Sequence, residues 1–537
     1  MASFVSGYCG NGRSGFHVEE MGIGFSGLQL ARPMTRLHRP ILAGTPLASI
    51  ILIGVLLGFA LMIRLYDLTD PPLDFHPTRQ LLSELKARGM YYQAHPVVPE
   101  WQRKMAIQQW RTKAEVEPEI FERLVALTFG FTGVETWVAR VYASAFWIVG
   151  GIFLFLLVRE LHSIDAGMIA VAYYLFYPYA IVASRSFQPD VLMVMLILCF
   201  WWTFLRWTRA ESWRWAVLAG LAGGLAILVK FVAAFFVIGA ALGLGLGVFG
   251  LAMIRKRQVW LMGALGLLPA AFYLFYGLAL HGFLGRQFSG RFIPELLLDP
   301  ANYLQWAAMA NLAAGGIGIA LGVLGLLVVR EKDLRSLLTG LWAVYLLFGL
   351  FFDYHVATHD YYHLPLIPLV AVSAAPVAGI LMAHVAKAVN GRWTRIGVLG
   401  VFLYCTFAGA WEAHRQLAAV DYRPEIATWN EIGERLQHGP NVVALTQDYG
   451  SRLAYWGWQN SIIWPNSGDG DYRAARGGSI EFDELFSKLT VGNTYFLVTD
   501  FEELERQPDL AQKLSMYEIV AEGADYVIYN LEKPRGS

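Results

Sequence analysis

The chain is short of charge and of cysteine. Asp, Glu, Lys and Arg supply only 16% of its 537 residues, against roughly 25% in soluble proteins. That deficit excludes an ordinary soluble domain, and the 56% hydrophobic content points to a membrane protein. Basic and acidic residues both number 42, so the net charge is zero and nothing pulls the chain toward nucleic acid. Cys9, Cys199 and Cys405 lie far apart, the last two inside apolar runs. They supply neither a disulfide framework nor a CxxC metal motif. The Gly-rich first 40 residues lack a long apolar run, which argues against a cleaved signal peptide. Residues 1–45 read as a flexible cytoplasmic tail, with Arg32, Arg36 and Arg39 ahead of a signal anchor. Aromatics, by contrast, are plentiful: 18 Trp and 25 Tyr suit interfacial belts as well as buried cores.

Crossing the hydrocarbon takes about 20 apolar residues. Spans are expected near 46–66, 138–158, 164–183, 190–206, 214–231, 232–253, 259–280, 308–329, 337–352, 362–384 and 396–412. The run 214–253 is twice a span and is expected to fold back near its middle. Positive loops set orientation. With the N-terminus inside, the cytoplasmic loops hold Arg159; Arg206, Arg209 and Arg214; Arg255, Lys256 and Arg257; Arg330, Lys332 and Arg335; and Lys387, Arg392 and Arg395. The opposite short loops hold only Arg185, Arg286 and Arg291. Residues 46–412 thus read as a membrane domain of about eleven helices with a large outer loop at 67–137. Two polar amphipathic stretches, 78–93 and 99–115, lie in that loop. The second mixes Trp101 and Trp110 with Arg103, Lys104 and Arg111, which suits a helix among lipid headgroups.

After Pro424 the pattern changes. Alternating strands and helices over 413–537 predict a small extracytoplasmic α/β domain, without a Gly-rich phosphate loop or a catalytic triad.

The unusual polar residues all fall on the outer face assigned by the loop charges. Asp74, His76 and Arg79 follow the first span. Arg185, Gln188 and Asp190 occupy a turn, and Lys230 sits at the fold-back. Asp353, His355, His359, Asp360, Tyr361, Tyr362 and His363 precede the tenth span. Ionisable groups gathered on one membrane face suggest a site. Asp74 reads two ways, which can coexist: a base for an acceptor hydroxyl, or an N-cap for the helix starting near Pro77. Asp190 after Pro189 reads as a site acid or as a cap. Lys230 must snorkel or meet an anion, and a phosphate is one suitable anion. His355, His359 and His363 would share one helical face, a spacing able to bind zinc, but Pro365 favours a loop.

Taken in order, these segments resemble the C-type fold of integral-membrane glycosyltransferases. That superfamily includes aminoarabinose transferases, protein O-mannosyltransferases and rhizobial core transferases. The matching features are the acid after the first span and Glu117-Pro118 followed by Phe121 and Leu124-Val125-Ala126-Leu127. Gln188-Pro189-Asp190, Lys230 and the run Tyr354-His355…Thr358-His359-Asp360-Tyr361-Tyr362…Leu364-Pro365-Leu366 match as well. The sequence departs from several members in placing His76 and Thr78-Arg79 where a second acid is common.

The resemblance implies a polyprenyl-phosphate sugar donor and a lipid, glycan or protein acceptor. It implies no cofactor other than an optional divalent metal, and makes Asp190 a second catalytic acid that helps to place the acceptor or that metal. By analogy Asp74 is the base of an inverting transfer. Arg79, Lys230, His355, His359, Tyr361, Tyr362 and His363 then hold the donor phosphate. His76, Glu117, Gln188 and Asp360 are left for the acceptor or sugar. The expected setting is a bacterial inner membrane, with the site facing the periplasm. A flippase is the alternative, as is an inactive assembly subunit. A transporter favours internal repeats and a midplane site, and the sequence displays neither.

Overall fold

The computed structural model describes residues 41–42, 44–113, 117–285, 292–388, 391–470 and 481–534. Nearly all of the expected tail, together with Arg286 and Arg291, lies outside the described residues.

Among the described residues eight helices are long and apolar enough to cross a membrane, or nine spans if the bent pair Pro300–Ala314 and Gly316–Val328 counts as one. Ile164–Phe176 and Trp213–Val229 are shorter apolar helices. Together they account for every expected span, and the protein is an integral membrane protein. The first eleven helices are α1 (Pro46–Arg64), α2 (Pro77–Ala94), α3 (Glu100–Thr112), α4 (Ile120–Thr132), α5 (Trp137–Leu161), α6 (Ile164–Phe176), α7 (Pro178–Ala183), α8 (Pro189–Ala210), α9 (Trp213–Val229), α10 (Ala233–Phe249) and α11 (Arg257–Phe275).

Two expected spans are broken. The stretch 164–183 splits at Tyr177, whose ψ of 127° is extended, as the residue before a proline prefers. The stretch 308–329 bends by 94° between its two helices. The run 214–253 breaks at Lys230, near its middle as expected. Small residues let the spans approach closely. A Cβ on Gly340 of the helix Lys332–Phe351 would lie 2.3 Å from the Gly239 carbonyl oxygen in α10.

The segment 67–137 carries α2, α3 and α4. The aromatic residues of α3 pack on neighbouring parts of the protein. Trp101 stacks on His438 at 4.6 Å, and Trp110 packs against Gly89 of α2. A mix of Trp and Arg suits a polar aromatic protein face as well as a headgroup layer.

The chain ends in one mixed sheet of β1 (Val442–Leu445), β2 (Ile462–Ile463), β3 (Tyr495–Val498), β4 (Tyr517–Glu522) and β5 (Val527–Pro534), in the order β2-β1-β3-β5-β4. β1 pairs in parallel with β2 and β3, while β5 pairs antiparallel with β3 and β4. Alternate side chains serve opposite faces. Val442 and Ala444 join Trp429 and Ile432 of the helix Arg423–Arg435. Val443 and Leu445 join Phe486 and Leu514.

Candidate active site

The turn between α1 and α2 delivers the first group of site residues. The N-cap of α2 is His76, held left-handed at φ 44°, and it makes no side-chain capping bond. Asp74 therefore does not cap the helix. Its Oδ1 accepts from Arg140 Nη2 at 2.9 Å and from Gln80 Nε2 at 3.4 Å. Oδ2 has no hydrogen-bond partner among the described residues. Asp74 lines a cavity of about 410 Å³ with Phe75, Tyr177, Tyr179, Leu312, Asp360 and Glu412, within the size range of small-molecule sites. Asp360 of that lining meets His76 Nε2 through its Oδ1.

The second group meets the first through an aromatic shelf. Tyr361 and Tyr362 adjoin, with ring centroids 5.2 Å apart. The Arg79 guanidinium stands 5.7 Å from the Tyr361 centroid, and His76 meets the same ring edge-on at 4.9 Å. Lys230 Nζ lies 5.1 Å and 5.0 Å from the Tyr361 and Tyr362 centroids, within cation–π range. Burial works against the Arg79 charge, but Tyr361, Glu117 and Asp190 outweigh it and raise its pKa. Arg79 also lines a second, water-sized cavity of about 30 Å³ with Lys86, Glu117, Glu122 and Pro189. Of the expected residues, Asp74 and Asp360 line the first cavity and Arg79 and Glu117 the second, and contacts through His76 and Tyr361 link Asp360 to Arg79.

Four of the expected residues, Asp190, Lys230, Gln188 and His363, are buried in the protein. Asp190 binds Lys230 Nζ through both carboxylate oxygens, at 2.8 and 2.9 Å, and the two side chains are 1% and 4% exposed. Lys230 does not snorkel, and the anion it meets here is Asp190. Asp190 in turn is almost fully enclosed. Gln188 caps α8 from a fully buried position, and its amide finds no hydrogen-bond partner among the described residues. His363 is buried, bonded through Nδ1 to the Tyr345 hydroxyl and through Nε2 to the Val356 carbonyl, which leaves neither nitrogen for a phosphate. The three histidines do not share a helical face, because the helix Asp353–Thr358 ends and His359 is extended. Among the described residues no group of three or more His, Cys, Asp or Glu is placed to hold a metal ion.

His355 and His359 stack at 5.9 Å beside Tyr362. Burial pushes the His359 imidazole down to about 4, helped by the nearby charges of His76 and Arg79.

The sequence reading missed Arg140. It is 1% exposed, and besides Asp74 it binds the Asp67 and Pro71 carbonyls, tying the turn to α5. Its signal was present: an arginine four residues into an apolar helix needs a partner. Gln80 was missed too. It donates to the Phe75 carbonyl at 2.7 Å and accepts from the Phe187 amide at 3.1 Å, which locks the Asp74 turn to the α7–α8 turn.

Among the described residues, a helical domain with eight or nine candidate spans, joined to a small terminal sheet, defines a class of fold. The fold is that of the C-type integral-membrane glycosyltransferases. ArnT from Cupriavidus metallidurans in the apo state matches at a TM-score of 0.58 and 15% identity, over 90% of this chain and 98% of that one. ArnT from the same organism bound to undecaprenyl phosphate gives 0.56 and 16%, over the same shares. The archaeal oligosaccharyltransferase AglB from Archaeoglobus fulgidus, in complex with an inhibitory peptide and a dolichol-phosphate, gives 0.53 and 12%, over 87% of this chain and 72% of that one. The family model for dolichyl-phosphate-mannose-protein mannosyltransferase matches residues 117–276, a span that holds Glu117, Arg140, Asp190 and Lys230. No curated protein matches the chain significantly.

Proposed function

We propose that the protein is an inverting glycosyltransferase. It takes a sugar from a polyprenyl-phosphate donor and passes it to a lipid, glycan or protein acceptor. The orientation read from the loop charges puts the site and the terminal sheet on the outer face, in the periplasm of a bacterial inner membrane. The observation that carries the reading is the Asp74 carboxylate on one cavity wall, joined through His76, Asp360 and Tyr361 to the Arg79 guanidinium. The printed ligands of the structural neighbours, undecaprenyl phosphate and dolichol-phosphate, support the donor class.

In this scheme the acceptor hydroxyl gives its proton to Asp74 Oδ2 and attacks the anomeric carbon. The bond from that carbon to the phosphate oxygen breaks, and polyprenyl phosphate leaves. One displacement inverts the centre. Arg79 carries the growing negative charge on the phosphate, as a fixed cation in a low-dielectric site does effectively. The Lys230–Asp190 pair supports the shelf under Arg79, and Arg140 orients Asp74.

The test is Asp74→Asn in the full-length protein. Transfer from a polyprenyl-phosphate sugar should fall at least about 100-fold, the usual weight of a general base, with undecaprenyl phosphate still bound. Near-normal turnover in that variant would remove Asp74 as the base. Mass spectrometry of lipid-linked sugars and surface glycans, with and without the gene, identifies sugar and acceptor. Transport without transfer in proteoliposomes would favour a flippase.

A further inference from the structure

The scheme above gives the terminal sheet no task. In the loop after β1, three successive residues, Asp448, Tyr449 and Gly450, hold φ values of 54°, 52° and 70°. Glycine adopts this conformation freely and aspartate tolerates it, whereas tyrosine is strained there. Such strain persists only where surrounding contacts hold it, and it gathers at functional sites. Here the contacts are specific. Arg452 Nε donates to Asp448 Oδ2, and Arg452 Nη1 donates to Glu425 Oε2 at 2.6 Å. Asp448 Oδ1 then accepts from Thr78 Oγ1 at 3.0 Å. Thr78 stands between His76 and Arg79 in the first turn of α2.

That turn has no side-chain cap of its own. Its N-cap residue makes no capping bond, and no acidic residue lies within it. The positive end of the helix dipole favours a carboxylate nearby. Asp448 supplies one from 370 residues further along the chain. The sheet domain grips α2 a second time at Arg88, which donates to the Ala454 and Tyr455 carbonyls and lies 3.9 Å from the Trp458 ring centroid.

We infer that Asp448 is a positioning residue for the site. Held by its strained loop, it fixes the first turn of α2 through Thr78, so that His76 stays on Asp360 and Arg79 stays over Tyr361. The grip itself is independent of the proposed chemistry, but its consequence for phosphate binding rests on that reading.

The full-length protein in nanodiscs is titrated with undecaprenyl phosphate as probe, and amide exchange is followed across residues 78–84. Thr78→Val and Asp448→Ala should each weaken the probe about tenfold, as loss of a charge-assisted hydrogen bond does. The double variant should be no worse than either single one, because coupled partners are not additive. Thr78→Ser should restore binding. Exchange should rise in the first turn of α2 without a change in the thermal midpoint. Unchanged exchange in both variants, or additive losses, would overturn the inference. Should Arg79→Ala leave the probe bound as in the wild type, the phosphate reading fails, and the exchange data still decide the grip.

Discussion

At the scale of the residue, the Lys230–Asp190 pair is the clearest case of a side chain answering a physical demand. A buried ion pair adds little net stability, because desolvation consumes most of its attraction, but removing one partner strands the other. Lys230→Met should therefore destabilise the protein by about 3–5 kcal/mol. Asp190→Asn combined with Lys230→Met should recover most of that loss. Thermal unfolding in detergent measures both, and equal losses in single and double variants would show that the pair is not the cause. The need for a partner was legible in the sequence, since Lys230 is the only ionised group between Arg214 and Arg255. Its identity was not, since Asp190 lies 40 residues away. Arg140 made the same demand, less visibly, because a cation near a span end can reach the interface. Glu84 and Arg88 were hidden more deeply. They sit in a polar stretch that reads as surface, yet they are 0% and 3% exposed. Arg88 is covered by residues 454–458, and no pattern within α2 carries that information.

At the scale of the element, hydropathy locates spans well but does not show where they bend. The stretch 308–329 is apolar throughout, and its 94° turn rests on backbone geometry. Gly315 takes φ 71°, and the freed end of the next helix is met by Asn311 Oδ1, which accepts from the Gly316 amide at 2.7 Å. The Tyr173 hydroxyl donates to the Ala314 carbonyl, and the Tyr177 hydroxyl donates to the Leu312 carbonyl at 3.2 Å. The bend thereby sets Leu312 into the wall of the Asp74 cavity. Gly315→Ala should cost about 1–3 kcal/mol, because φ 71° with ψ 130° is a backbone region that only glycine enters easily. A new Cβ would also meet the Tyr177 ring at 3.2 Å. The expected readout is a lower unfolding midpoint together with weaker substrate handling. A variant as stable and active as the wild type would show that the bend does not need glycine.

At the scale of the whole molecule, several separate segments bring charge to one end of the helix bundle, so its pH response belongs to the assembled site. His359 shows the direction. It is pressed by His76, Arg79 and Lys230, with only Asp360 favouring its charged form, and burial is the largest influence on it. Its pKa falls from the ordinary 6.5 to about 4 in the folded protein. The unfolded chain then binds a proton first as the pH drops, and stability is lost in step with that difference. The contribution is complete above pH 6.5, declines as the pH falls toward about 4, and levels off below that. His359→Gln removes the titrating group, so its unfolding midpoint should fall less steeply than the wild type's across this window. Parallel curves for the two proteins would assign the acid sensitivity to the carboxylates around the site instead.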